Sequence, residues 1–211
     1  MTVTAVVMSD KNKYKIYLND EFAFVLYKGE IHKYGLSVGT EVSKELYETL
    51  LNEVLTKRAK LRAMNLLTKR PYTRAGLIQK LQEGLYPECC VDAAIQYVES
   101  FGYINDEQYA LDFANYHISF ESAKVIKQKL MTKGVPKDVI EKVLRQISEE
   151  AGQNGMSYEE EQIIKLIEKK YKGCIPAEEK EYIKMQQFLL RKGYSFEMIR
   201  HVILNNFNKK N

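Results

Sequence analysis

Apolar residues alternate with polar ones at period two near the start of the chain and recur at helical spacing after it. In Tyr14 to Leu18 the residues Tyr14, Ile16 and Leu18 alternate, and after the polar turn Asn19-Asp20-Glu21 so do Phe22, Phe24 and Leu26. Val3 to Met8 adds a third β-branched run, set off by Ser9 to Asn12. Three short strands are marginal alone, so this sheet is expected to dock onto something helical. Lys28 to Gly35 reads as one short helical turn, and Ser43 is placed to cap a helix. From there Leu46, Leu50, Val54, Ala59, Ala63, Leu66 and Leu67 recur at helical spacing until Pro71. Thr73 can cap a second helix, with Leu77, Ile78 and Leu81 before Gly84. A third carries Val91, Ala94, Ile95 and Val98 and stops at Phe101-Gly102.

The helical part repeats itself. Leu130-Met-Thr-Lys133-Gly134-Val135 is followed by Val139-Ile140 and Val143-Leu144, and Leu189-Leu-Arg-Lys192-Gly193-Tyr194 is followed by Met198-Ile199 and Val202-Ile203, at identical offsets. The first copy is looser: Leu81-Gln-Glu-Gly84 reads as one residue shorter. Each copy has the same physical logic. Lysine suits the negative end of a helix, glycine accepts the left-handed residue after it, and the next apolar residue packs back. Pro136 at or near the first helical position and Ser195 as a cap start the following helix. The stretch Ala151-Gly-Gln-Asn-Gly-Met156 reads as a linker. The expected fold is mostly α: tandem three-helix modules in an elongated arrangement, with a small N-terminal antiparallel β segment. The expected divisions are residues 1–56 (β segment and leading helix), 57–105, 106–150, and 151–211 (linker and third module).

Charge changes this picture locally. Residues 57–105 carry eight basic and four acidic groups, whereas 1–56 carry six and eight. Positive charge is therefore concentrated where the first module lies, which fits either a solvated surface or an anionic partner. No apolar stretch is long enough to span a membrane, and the N-terminus lacks the basic start of a signal peptide. Cys89, Cys90 and Cys174 give an odd count without C-x-x-C spacing, which argues for reduced thiols in a cytoplasmic protein and against a zinc site.

Enzymatic chemistry finds little to stand on. His32, His117 and His201 lie in different segments, with no metal-ligand partner expected at helical spacing. Glu159-Glu160-Glu161 and Glu178-Glu179 suit the positive ends of helices. No phosphate-binding glycine loop is present. The expectation is therefore no catalytic residue, no cofactor and no metal. Tyr103, Tyr109, Phe113 and Tyr116 could suggest base stacking, but Tyr109, Phe113 and Tyr116 recur at helical spacing, which assigns those three to core packing ahead of it. What remains is basic. Arg58 and Arg62 share a helix face, and Lys69, Arg70 and Arg74 surround the following turn, a patch open to phosphates, an acidic protein surface or solvent.

Gly102-Tyr103-Ile104-Asn105-Asp106-Glu107-Gln108-Tyr109-Ala110 resembles the Gly-Tyr-aliphatic-Asp/Asn-Asp-x-x-Phe/Tyr-Ala junction of the RecX family of recombinase regulators. Arg58-Ala59-Lys60, Leu66 to Arg70 and Leu130 to Gly134 are similar to the family at matching positions, and Asp20 to Tyr27 is similar to the leader segment of Firmicute-type members. Two positions depart from the pattern. Gly76 stands where the family has the glutamate of a capping box, which should let that helix start fray, and Ser122-Ala123 replace a common Gly-Pro. The resemblance implies a monomeric regulator that lodges along the RecA filament, with the basic cluster touching recombinase or filament DNA phosphates. It would act mainly as an inhibitor of recombination and the SOS response. A helical protein that binds DNA directly, without recombinase, is the alternative.

Overall fold

The computed structural model describes residues 1–151 and 156–207. The linker read at 151–156 falls largely outside the described residues. The chain divides into two compact units, Met1–Asn105 and Asp106–Asn211.

In the first unit, β1 (Val3–Asp10), β2 (Lys13–Leu18) and β3 (Glu21–Tyr27) form an antiparallel sheet in that order. Asn19 and Asp20 both take positive φ (48° and 69°), giving a two-residue turn whose twist matches its strands. The pairing of Ile16 with Phe24 and of Tyr17 with Phe22 skips Ala23, so a bulge breaks the alternation expected there. Phe24 and Leu26 are buried, while Phe22 turns outward and meets Tyr17 edge-on at 5.9 Å.

After α1 (Lys28–Lys33), α2 (Lys44–Thr49), a π-helical segment (Leu50–Leu55) and α3 (Thr56–Leu67) run on without a break, from the Ser43 cap that accepts the Leu46 N–H. The wide turn has a consequence for packing. Leu50 and Leu55, five apart, are both buried ahead of Ala59, Ala63 and Leu66, in place of the expected Val54. α4 (Arg74–Glu83) and α5 (Glu88–Ser100) complete the module. The buried Thr73 accepts the Gly76 N–H at 3.0 Å, so one half of a capping box survives without the glutamate. Sheet and helices share one core, in which Ile16, Phe24 and Leu26 meet Leu50, Leu55, Leu77, Leu81 and Ile95. Buried Cys90 donates to the Leu51 carbonyl, and burial pushes its thiol up to about 11.

The second unit holds two three-helix groups. α6 (Asp106–His117), α7 (Ala123–Thr132) and α8 (Lys137–Ala151) close on Ile126, Leu130 and Ile140. α9 (Tyr158–Tyr171), α10 (Glu179–Arg191) and α11 (Phe196–Asn206) close on Ile163, Met185, Leu189 and Ile199. The groups meet through two backbone N–H donors and a few side chains. Ser122 N–H donates to the Lys192 carbonyl at 2.9 Å, and Ala123 N–H donates to Glu159 Oε1 at 2.9 Å. Tyr158 packs on the core of the preceding group. Tyr194 is buried, and burial first, then Glu159, holds its phenol well above the ordinary range.

The repeated Lys-Gly text folds as read. Gly134 and Gly193 take left-handed φ (76° and 93°), and Val135 and Tyr194 donate back to the Leu130 and Leu189 carbonyls. The first copy needs a correction, because it is not shorter. Leu85 donates to Gln82 and Tyr86 to Leu81, the same closure, but the glycine sits one residue early and Leu85 takes the left-handed φ of 58°. Ser157 and Glu160 form a reciprocal cap on α9, where the acidic run was expected to serve a helix start.

Candidate partner-binding surface

The five basic residues of the predicted patch separate into two roles. Arg58 is built into the first unit. Its Nη1 donates to the Val25 carbonyl at 3.1 Å, its Nη2 pairs with the Glu30 carboxylate, and its guanidinium lies 4.5 Å over the Tyr27 ring. With its side chain 18% exposed, Arg58 fastens α3 to β3 and α1 and presents no free charge to a partner. Glu30 also accepts the Tyr27 N–H, so one carboxylate serves both the start of α1 and the arginine. Spacing placed Arg58 beside Arg62 on one face, but it could not show that the sheet covers one of them.

The other four remain outside. Arg62 and Lys69 are exposed on α3 and just past its end. Arg70 stacks over Tyr72 at 4.6 Å, which fixes a guanidinium plane in the α3–α4 turn. Arg74 is exposed in the first turn of α4 and pairs with Glu99 near the end of α5 at 2.8 Å.

Sequence reasoning missed the neighbours of this turn. Cys90 bonds to the Leu51 carbonyl and Lys60 lies 4.9 Å over the Tyr97 ring, so α5 runs parallel to α3 and the two end on the same side. α5 closes with Gly102 at φ 69°, donating to Glu99, and Tyr103 donating to Val98. That closure holds Phe101 and Tyr103 outward, 57% and 52% exposed, with their rings stacked at 5.6 Å and 16°. Tyr97 meets Phe101 edge-on at 5.0 Å. Phe101-Gly102 read in sequence as a helix stop, and what that reading hid was the exposed Phe101 ring stacked on Tyr103.

In the second unit, Tyr109, Phe113 and His117 line one face of α6, and Lys133 covers Phe113 at 5.3 Å. Tyr116 departs from its expected core position and stands 71% exposed. His117, expected to lack a ligand partner at helical spacing, has Glu121 four residues on at 3.4 Å, and Lys129 also pairs with that carboxylate. Among the described residues no three His, Cys, Asp or Glu side chains gather as a metal site would require, and no helix is long and apolar enough to cross a membrane.

Comparison with known proteins matches these helical groups one by one. Residues 59–97 match the first three-helix domain of RecX, 105–144 the second and 158–203 the third. The chain is 27% identical over 211 residues to regulatory protein RecX of Clostridium botulinum (strain Eklund 17B / Type B), covering 99% of this chain and 96% of the relative. It is 28% identical over 205 residues to that of Caldanaerobacter subterraneus subsp. tengcongensis, covering 96% and 98%. The fold is similar to a crystal structure of regulatory protein RecX (TM-score 0.58, 24% identity, 95% and 98% covered). It is likewise similar to RecX from Lactobacillus salivarius (TM-score 0.58, 22% identity, 71% and 95% covered). Three successive domain matches and relatives aligned from end to end have one explanation: this chain belongs to the RecX family of regulatory proteins.

Proposed function

We propose that the chain regulates homologous recombination without catalysing a reaction, by binding the RecA recombinase filament and mainly inhibiting its recombination and SOS-related activities. The observation that carries this reading is the match of all three helical groups, in order, to the domains of a regulatory family. The exposed cations at the end of α3 supply a contact for acidic protein or filament phosphates through Arg62, Lys69, Arg70 and Arg74. In this reading the protein works in the cytoplasm as a monomer, needs no cofactor, and divides functionally into a β-led first segment and three helical modules.

Titrating the chain into DNA strand exchange by the cognate RecA tests the proposal. Inhibition at substoichiometric ratios is the expected result, and unaltered exchange in the presence of folded protein would refute it. The second reading, a DNA-binding protein acting without recombinase, is favoured by the clustering of cations and rings in the first module. It requires tight, steeply salt-dependent DNA binding by the chain alone.

A further inference from the structure

We propose that the end of the first module where α3, α4 and α5 meet is a platform for single-stranded nucleic acid, with bases stacking on Phe101 and Tyr103 and phosphates held by Lys69 and Arg70. This deepens the function proposed above by naming the part of a recombinase–nucleic acid filament that this face meets.

The rings cannot be accounted for as core. Phe101 and Tyr103 are more than half exposed, yet they are not loose: the Gly102 turn and the Tyr103 N–H bond to Val98 fix their backbone, and Tyr97 abuts Phe101 from within the helix. Two rigid, nearly parallel rings on a surface offer a flat π face that can be extended from outside, which is what a base requires. The surroundings select the charge of the ligand. The Arg74–Glu99 pair ties the first turn of α4 to the last turn of α5, bringing Lys69 and the Arg70–Tyr72 stack to the end that carries the rings. Glu99, two residues from Phe101, is already neutralised by that pair, and Lys60 stands over Tyr97 on the flank. A ligand that is both aromatic and anionic satisfies both demands. Duplex DNA does not, because its base faces are already stacked on one another and only edges and phosphates are open to the protein.

The binding test uses the whole chain without recombinase, and RecA inhibition is read in a separate assay, so failure of the platform and failure of the regulatory function can be told apart. Fluorescence anisotropy at low salt would compare a labelled 20-mer oligodeoxythymidylate with a 20-base-pair duplex. The expected result is tighter binding of the single strand. F101A/Y103A should weaken that binding at least about fivefold for each stack lost while leaving duplex binding unchanged. K69E/R70E should weaken both ligands and flatten the salt dependence. Both ring positions are exposed, so an unchanged unfolding midpoint is expected for the ring variant and separates lost contact from lost fold. Four results would overturn the proposal: no single-strand binding, equal affinity for duplex, an unaffected ring variant, or a ring variant that binds DNA normally but no longer inhibits RecA. The last would assign the rings to a protein partner. Intact RecA inhibition with no DNA binding would sink the platform and leave the regulatory function standing.

Discussion

Met1–Asn105 fastens a sheet to a helical module through a shared apolar core, whereas Asp106–Asn211 fastens one helical module to another through backbone N–H donors and a few side chains at a close turn. In the first unit the join is a shared apolar core reinforced by Arg58, whose guanidinium reaches a strand carbonyl, a helix carboxylate and a tyrosine ring together. In the second, the start of α7 lies against the turn that closes α10, and the contact is so close that a Cβ at Gly193 would overlap Ser122 Oγ and Val125 Cγ2. Glycine is needed there twice, for its left-handed φ of 93° and for the space. Gly134 occupies the same place in the preceding repeat, where it is exposed and takes a left-handed φ of 76°. One local motif closes both helices, and at Gly193 it also makes room for a helix of the neighbouring group.

The largest expected effect follows from that difference. Gly193→Ala combines left-handed strain with overpacking and should destabilise the second unit by about 3–4 kcal/mol. Urea unfolding would measure it, and Ser122→Gly in the same chain should recover part of the loss because it removes the Ser122 overlap while leaving that with Val125. Strict additivity of the two would mean that the join does not depend on this contact. Arg58→Ala should cost about 2 kcal/mol by leaving Glu30 half-buried without its cation, with partner binding little changed. A fall in binding with unaltered stability would reverse that assignment. Gly134→Ala should cost only about 1 kcal/mol, the backbone strain offset in part by the entropy that alanine removes from the unfolded chain. A penalty equal to that at Gly193 would remove the distinction between the two turns. Smallest, and opposite in sign, Leu85→Gly should stabilise by about 0.5 kcal/mol, since the first module's turn places a leucine where its siblings place glycine. A lowered melting midpoint would show that the leucine side chain contributes more than its backbone costs.

Much of this was legible because it is local. The caps at Ser43, Thr73 and Ser195 and the closures after Leu130 and Leu189 depend on residues within one turn, so their residue types announce them. What escaped depends on neighbours far along the chain. Ser122-Ala123 read only as a departure from a common Gly-Pro, but Ala123 supplies an N–H to Glu159 that a proline would lack, so the departure makes a join. Arg58 read as surface charge until the sheet covered it. The π turn at Leu50–Leu55 serves a stripe that an ordinary helical period would leave misaligned, and the bulge at Ala23 sends Phe22 outward where alternation places it inward. The candidate surface followed the same rule. Its cations were visible as a run around Pro71, while the rings beside them came together only when α5 was seen to end alongside α3.

The most direct measurement is the ATPase rate of cognate RecA on single-stranded DNA, titrated with the natural chain and with R62E/R70E, alongside the unfolding midpoint of each. A filament regulator acting through this surface should lower the rate at substoichiometric ratios, and the charge-reversed chain, equally stable, should need at least about tenfold more protein for the same effect. An unchanged ATPase rate with the natural chain would contradict the proposed function, and equal inhibition by the two chains would place the contact elsewhere.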